Sequence, residues 1–217
     1  MKFKMFICMF VAMFAISMVS CDRHKKQAVE PEAATEEVVE NQPLVVENVI
    51  SMDRQDMFLN YQNDYRWYET CIVLEDYLDA EGSEGKVHAV SNIFQYVVEK
   101  DEHSADVRVV MYTHLPDTTA VEVVNSFWIG DCLMNEAEIK LTFEQAYDRL
   151  MQANLPKPHS KQVVLRKELG PKDANPQYIF GNVQSHVYVD AVTGDVSTIN
   201  PVYGEEFQLA KPLGEWP

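Results

Sequence analysis

The chain has 217 residues, of which 47% are hydrophobic and 24% are charged, and its formal net charge at pH 7 is -16. This acidic excess argues against nucleic acid as a partner, because binding to phosphates requires a cationic surface. Residues 51–217 are enough for one ordinary domain or two small ones.

The first 20 residues have the pattern of a secretory signal peptide. Lys2 and Lys4 precede an uncharged apolar run, residues 5–18, which is shorter than the roughly 20 residues of an ordinary membrane span. The next residues, Met-Val-Ser-Cys at 18–21, resemble a bacterial lipobox, in which the cysteine after the cleavage site receives lipid. This resemblance predicts that Cys21 anchors the mature protein to a membrane of the bacterial envelope, facing the periplasm or the cell surface. A signal peptide without lipidation and an uncleaved helix are the alternatives.

Residues 21–50 are predicted to form a flexible tether after the acylated cysteine. The segment is rich in glutamate, contains two prolines and lacks aromatic residues, so it cannot bury enough apolar surface to become ordered. A flexible chain of this length spans on the order of 30 Å. The folded part is therefore expected to stand clear of the lipid surface.

Residues 51–135 predict a short helix followed by four strands. Ser51 is a plausible N-cap for the apolar stripe that begins at Met52. Four runs rich in β-branched and aromatic residues then follow, separated by turn residues, which indicates an antiparallel meander. These runs are residues 66–77, 86–98, 106–114 and 120–129.

Residues 136–200 repeat this order. Thr142 and Gln145 have the spacing of a capping box, and an apolar stripe at helical spacing begins at Phe143. Four extended runs follow, and Gly194 is placed to supply the positive φ of the last hairpin. The predicted fold class is therefore α+β, with two tandem units of one helix and a four-stranded antiparallel sheet, followed by an irregular tail at 201–217. The four runs are residues 161–169, 177–181, 185–190 and 195–199, and the tail residues expected to pack back are Tyr203, Phe207 and Trp216.

Residues 141–199 resemble the PepSY family. The resemblance lies in Leu-Thr-Phe-Glu-Gln-Ala at 141–146 and in Val-Tyr-Val-Asp-Ala-Val-Thr-Gly-Asp-Val at 187–196. It implies a small helix-plus-sheet module of secreted and membrane-attached bacterial proteins, with an inhibitory or chaperone-like role toward peptidases. The tandem arrangement is similar to that of the secreted β-lactamase inhibitor protein, whose sheets form a concave binding face. Neither group has catalytic residues to transfer.

Two cysteines remain in the folded part once Cys8 leaves with the signal peptide and Cys21 is lipidated. These are Cys71 and Cys132. In an oxidising compartment they can form a disulfide, which would stabilise the fold by roughly 4 kcal/mol in the chain-entropy model. A disulfide and two separate buried thiols are both compatible with the sequence.

The usual catalytic and metal-binding spacings are absent from the sequence. Asp190 and Asp195 flank a turn, where hairpin chemistry explains them more readily than a cation does. No catalytic, cofactor or metal residue is therefore assigned. The histidines of the folded part stand singly, and none is given a role: His88, His103, His114, His159 and His186.

Tryptophans and carboxylates alternate with apolar residues on two of the predicted strands. Strict alternation places Trp67 and Glu69 on one face of the first strand, and Glu122 and Trp128 on one face of the fourth. Rigid aromatic side chains concentrate binding energy, so these four residues are the predicted partner face. The alternative is that both tryptophans complete a second core layer.

The function expected from the sequence is non-enzymatic binding of a protein or peptide, with a peptidase as one class of partner. Binding of a small ligand is the alternative, which a deep cavity lined by Phe94, Tyr96, Phe127 or Tyr178 would favour. A hydrolase whose residues come together from distant strands is a weaker alternative.

Overall fold

The computed structural model describes residues 44–101, 104–128, 131–182 and 185–204. Two helices pack on the same face of one antiparallel sheet. In chain order the elements are α1 (Val46–Asp56) with a π-helical turn after it (Met57–Tyr61), β1 (Arg66–Leu74), β2 (Val87–Asp101), β3 (Ser104–Leu115), β4 (Thr118–Asn125), β5 (Asp131–Cys132), a 3₁₀ turn (Glu136–Glu138), α2 (Phe143–Gln152), β6 (Gln162–Glu168), β7 (Gln177–Asn182), β8 (Ser185–Asp190) and β9 (Val196–Ser197).

The sheet has nine strands in the order β4-β3-β2-β1-β6-β7-β8-β9, and β5 pairs with the far end of β6. All the strand pairings in the described part of the chain are antiparallel. The two meanders of the chain, β1 to β4 and β6 to β9, meet where β1 pairs with β6 over residues 69–73 and 162–166. The α+β class is therefore confirmed.

Helix α1 begins earlier than the sequence predicted. It starts at Val46, whereas Ser51 lies exposed in its middle and does not cap it. Val46, Val49 and Ile50 are buried at helical spacing, so the end of the segment predicted as tether is ordered. The prediction was wrong because the apolar stripe of the helix begins inside the glutamate-rich region, whose composition concealed it.

Helix α2 and its cap are confirmed. The Thr142 hydroxyl accepts the Gln145 N–H, and the Gln145 side chain accepts the Thr142 N–H, so each residue satisfies an otherwise unpaired donor of the first turn. Phe143, Ala146 and Leu150 are buried on the face that meets the sheet. The chain leaves the helix after Gln152, close to the end that Pro156 indicated.

Three strands end earlier than predicted. After β1 the chain turns so that Leu78 is buried and its N–H donates to the Ser160 carbonyl. After β4 it crosses toward β2, where the Trp128 N–H donates to the Gln95 side chain. Strand β9 has two residues and is followed by a turn that the Asn200 side chain closes through the N–H of Val202.

The predicted hairpin between β8 and β9 is present. Gly194 has φ of +78° and donates its N–H to the Asp190 carbonyl. A β-carbon at this φ would be strained, which explains the glycine at the last position of the turn.

The core lies between the two helices and the sheet. It is one continuous cluster with contributions from both meanders, and Phe94, Val110, Leu165, Phe180 and Val189 are fully buried in it. Burying a side chain of this kind stabilises the fold by about 1.5–3 kcal/mol. Both halves of the chain therefore stabilise each other through shared apolar contacts.

The predictions for the leader, the lipidated Cys21 and most of the tether fall on residues 1–43, outside the described residues. His103, Phe207 and Trp216 also lie outside them. None of the helices in the described part of the chain is long and apolar enough to cross a membrane. In the tail, Val202 is buried and Tyr203 is exposed, with its hydroxyl donating to the Leu169 carbonyl.

Candidate functional site

Strand β4 is exposed along its whole length. All eight of its residues, Thr118–Asn125, are solvent-accessible, and the strand pairs on one side only, with β3. Val121 is 47% exposed and Val123 is 41% exposed on the helix face, and Val124 is exposed on the other. Among the described strands none pairs with the outer edge of β4, so a row of backbone donors and acceptors faces outward.

The opposite edge of the sheet is built differently. Strand β9 has two residues, and the chain then turns away through Asn200. Short edge strands are a common way to prevent unwanted pairing between sheets. The contrast leaves β4 as the long edge, with Glu122 as its single charged residue.

The predicted partner face is divided by the structure. Trp67 stands opposite Phe94 and Glu69 stands opposite Ile93, so Tyr68 is an extra residue in a β-bulge. The bulge turns Trp67 to the helix face, where it is 3% exposed in the core and donates to the Thr70 hydroxyl. The assignment of Trp67 to a partner face was therefore wrong, because a bulge breaks the alternation on which it depended.

Glu69 and Glu122 do share the face away from the helices. They lie in one cross-strand row with Met111 and Ile93 between them. Glu122 is exposed at the β4 end of this row, whereas Glu69 is buried at the sheet centre. Trp128 follows β4 in the chain, is half-buried and donates its indole N–H to Asp131. Of the four predicted residues, Glu122 alone is fully accessible.

Glu69 belongs to a buried ionic cluster around Arg166. The guanidinium lies 2.7 Å from Glu168, 3.5 Å from Asp131 and 3.6 Å from Glu69. Three carboxylates thus face one cation, and the side chain of Asp131 is 1% exposed. The Cys71 thiol donates to Glu69 over 3.0 Å.

The surplus of negative charge changes the titration of Glu69. Burial raises the pKa of its carboxyl, and the neighbouring Asp131 raises it further. The thiol of Cys71 and the charge of Arg166 oppose this shift without cancelling it. The carboxyl of Glu69 is therefore protonated at a higher pH in this cluster than a carboxyl in water is.

Cys71 and Cys132 are separate thiols in the structure. Cys71 stands opposite Val164 on β6, whereas Cys132 stands opposite Lys167 on the same strand. Three residues along a strand correspond to about 10 Å and to opposite faces of the sheet, beyond the reach of a disulfide. The sequence left a disulfide and two separate thiols as alternatives, and the structure contains two separate thiols.

A second buried polar network joins α1 to the sheet. Asp53 accepts from the Asn92 side chain over 2.6 Å and lies 2.7 Å from Nε2 of His114. The Thr119 hydroxyl is 3.0 Å from Nδ1 of the same ring. Burial raises the pKa of Asp53, and this outweighs the opposing hydrogen bonds from Asn92 and His114. Asn92 in turn accepts a hydrogen bond over 2.5 Å from the hydroxyl of Thr70, its neighbour on β1.

This network is not predicted from the sequence, although one feature of the sequence points to it. Asp53 follows Val46, Val49 and Ile50 at the spacing of their buried stripe, so it is an acidic residue on the apolar face of a helix. Its partner His114 was given no role because it stands alone in the sequence. The pairing joins residues 61 positions apart, and only the packing of α1 on β3 reveals it.

The other candidate sites are accounted for by local structure. Asp190 accepts hydrogen bonds from the N–H groups of Val192 and Thr193 and from the side chain of Asn175, so it closes the turn as expected. His159 is exposed, lies 3.0 Å from Asp79 and stacks on a tyrosine ring. Within the described ranges, no group of three or more His, Cys, Asp or Glu side chains is arranged to hold a metal ion.

Of the four aromatic residues whose presence around a deep cavity would favour a small ligand, Tyr178 lines one of the described cavities and the other three do not. Phe94 and Tyr178 are buried in the core, Tyr96 packs against Tyr61, and Phe127 is 63% exposed. Tyr178 lines a cavity of about 170 Å³ between α1 and α2. Two larger cavities have volumes of about 370 and 470 Å³ and are lined by other residues.

No protein-family model, no curated protein and no solved structure matches the chain. The PepSY resemblance therefore stays a prediction from residues 141–199.

Proposed function

We propose that this protein is a non-enzymatic, lipid-anchored component of the bacterial cell envelope that binds a protein partner through the edge strand β4. The observation that carries the proposal is the full exposure of Thr118–Asn125 with apolar side chains on both faces. An extended segment of a partner can add to such an edge through backbone hydrogen bonds, while pockets for alternate side chains give selectivity.

The accessible residues around β4 suit this mode of binding. Exposed apolar side chains lie on both faces of this edge, and together they are called the apolar strip. They are Val121 and Val123 on the helix face, Val124 and Leu115 on the opposite face, and Phe127 after the strand. Leaving this strip in water costs free energy that a partner strand would recover. Glu122 lies between the valines and gives the strip one negative charge, so a basic residue in the partner strand is favoured at the opposing position.

We propose further that the fold is a tandem of two PepSY-like units. The order of each meander, read outward from the centre of the sheet, is β1-β2-β3-β4 on one side and β6-β7-β8-β9 on the other. One helix precedes each meander, and both helices pack on the same face. This order is that of two units related by a two-fold axis between β1 and β6. The resemblance names a peptidase as one class of partner.

A catalytic role is not proposed. His114 lies in hydrogen-bonding reach of Thr119 on one side and of Asp53 on the other, the order of a hydrolytic relay. However, His114 is buried, both of its ring nitrogens are occupied within the network, and neither it nor Thr119 lines one of the three cavities. Its contacts account for the docking of α1 on the sheet.

The binding proposal is tested by photo-crosslinking in intact cells. A photoreactive residue at Val123 is expected to give a discrete protein adduct, and the same residue at exposed Leu169, which lies outside β4, is the matched control. Combining the probe with Val121→Lys is expected to abolish the adduct, because the added charge opposes burial of the strip. No adduct from Val123, or the same adduct from Leu169, would overturn the proposal.

Anchoring is tested separately by mass spectrometry of the native protein. The expected N-terminal peptide begins at Cys21 and carries acyl chains, and a Cys21→Ser variant is expected to keep its leader or to be released from the membrane fraction. An unmodified Cys21 in the native protein would contradict the anchor and would leave the role of β4 standing.

A further inference from the structure

We infer that the cavity at the start of α2 is a binding site for a small organic cation, a molecule with an apolar body and an amine or guanidinium group. The cavity has a volume of about 470 Å³, which lies in the range of sites for small ligands. It lies between the beginning of α1, the beginning of β2 and the first turns of α2, and it is separate from the proposed partner surface on β4.

The floor of this cavity is apolar and aromatic. Val46, Val87, Phe143 and Tyr147 line it, and all four are core residues with little exposure. The rings of Phe143 and Tyr147 are 6.2 Å apart and tilted by 45°. The faces of aromatic rings carry negative potential, so they attract a cation as well as an apolar group.

The position of Tyr147 is set by its surroundings. Its hydroxyl donates to Ser83 over 2.8 Å, and a β-carbon at Gly85 would lie 2.9 Å from the ring. Gly85 has φ of +69°, so a larger residue there would be strained and would also clash. The ring is therefore held in place before any ligand arrives, which lowers the cost of ordering the site.

The rim of the cavity is acidic. Four carboxylates and one ammonium group line it, and the ammonium, that of Lys86, is paired with Glu84 over 2.9 Å. Glu47 accepts the N–H of Phe143 over 2.6 Å. Glu144 and Asp148 supply the other two carboxylates, and neither carboxylate is hydrogen-bonded or ion-paired within the described part of the chain.

The carboxylates on the rim determine which class of ligand the cavity favours. Glu144 and Asp148 are four residues apart on α2, so their carboxylates lie on the same side of the helix. A cation with an apolar body would place its charge between them and its body on the aromatic floor. An anion would meet the surplus negative charge of the rim, and a neutral apolar molecule would leave both carboxylates without a partner.

The test uses 2-phenylethylamine and its neutral counterpart 2-phenylethanol as probes. Binding to the purified full chain is measured by calorimetry and by NMR. The amine is expected to bind saturably and about tenfold more tightly than the alcohol, which corresponds to about 1.4 kcal/mol. Failure of the amine to saturate, or equal binding of both probes, would overturn the inference.

Two double variants locate the site. Glu144→Gln with Asp148→Asn is expected to remove most of the preference for the amine. Asp117→Asn with Asp64→Asn makes the same change in net charge at exposed residues away from the cavity and is expected to keep the preference. Equal loss in both variants would show that the amine responds only to the overall charge and would also overturn the inference. Loss of the β4 crosslink has no bearing on this result.

Discussion

At the scale of single residues, the central question is how three carboxylates, two of them buried and one partly buried, coexist around Arg166. The guanidinium lies within 3.6 Å of Glu69 and closer to Asp131 and Glu168. Arg166 is therefore surrounded by more negative charge than it can neutralise. Burial lowers the pKa of a guanidinium, but these carboxylates outweigh that effect and raise the pKa of Arg166 overall. The cluster stabilises the charge of the arginine and destabilises the charge of Glu69.

Glu69→Gln is expected to raise the free energy of unfolding at pH 7 by about 1 kcal/mol, because it removes a buried charge that is only partly compensated. The raised pKa of Glu69 in the folded state means that its contribution to stability is fully present below its unfolded pKa and is lost as the pH rises through the folded value. The gain should therefore grow from pH 4 to pH 7 in chemical denaturation.

The complementary substitution at this cluster is Arg166→Met, which removes the cation and leaves the three carboxylates facing one another. It is expected to cost about 3–5 kcal/mol at pH 7 and less at pH 4. A variant Glu69→Gln that is less stable than the wild type at pH 7 would show that the Arg166 contact outweighs desolvation.

The Asp53 network gives a second prediction at this scale. Asp53→Asn is expected to lower the free energy of unfolding by about 2 kcal/mol, because one amide group cannot accept from both Asn92 and His114 and leaves a buried donor unsatisfied. The measurement is urea denaturation, with Asp117→Asn in the exposed β3–β4 turn as the control. An equal effect in the two variants would assign the loss to charge rather than to the network.

At the scale of secondary structure elements, α2 was predicted more accurately than α1. The reason is local: Thr142 and Gln145 cap α2 through bonds between residues three positions apart. Helix α1 begins at Val46, has no side-chain hydrogen bond at its N-cap Val45, and has only a short apolar stripe to mark it. Local hydrogen bonds can be inferred from sequence, whereas a helix stabilised by packing cannot be delimited without knowledge of the surface against which it packs.

Thr142→Ala is expected to cost about 1 kcal/mol of stability through loss of the N-cap. Thr142→Ser keeps the acceptor and is the control, with an expected change of a few tenths of that value. Thermal unfolding followed by circular dichroism distinguishes the two. Equal melting temperatures for Thr142→Ala and the wild type would mean that Glu47, which accepts the Phe143 N–H, is sufficient to satisfy the first turn.

The strands show the same division between local and tertiary information. Composition located all four strands of each meander to within a few residues, because β-branched runs and turn residues are local features. The bulge at Tyr68 was not visible, since it depends on how β1 pairs with β2. That one extra residue decided that Trp67 is a core residue and that Glu69 faces the other way.

At the scale of the whole molecule, the two meanders share one sheet and one core. Strands β1 and β6 are adjacent, and Phe94 and Leu165 belong to the same apolar cluster. A boundary between residues 135 and 136 therefore separates two stretches of the chain that depend on each other for burial. The proposed tandem describes the arrangement of the elements and does not imply independent stability.

Leu165→Ala is expected to destabilise both halves together. The side chain is fully buried on the central strand β6, and its truncation should cost about 2–5 kcal/mol. Unfolding followed by circular dichroism and by tryptophan fluorescence should give one coincident transition, because the tryptophans of the described region lie in the first half and the substitution in the second. Two separate transitions would contradict a single cooperative core.

The sequence by itself determined the class of fold, the capped helix, the approximate strands and the closing hairpin, because each depends on residues within a few positions of one another. It also predicts an export leader and lipidation at Cys21, and the proposed location depends on that prediction. Only the tertiary structure decided which strands meet at the centre, that β4 is left as the long edge, and that Asp53 pairs with His114. Those features depend on contacts between distant parts of the chain, and strand order and bulges determine which side chains share a face.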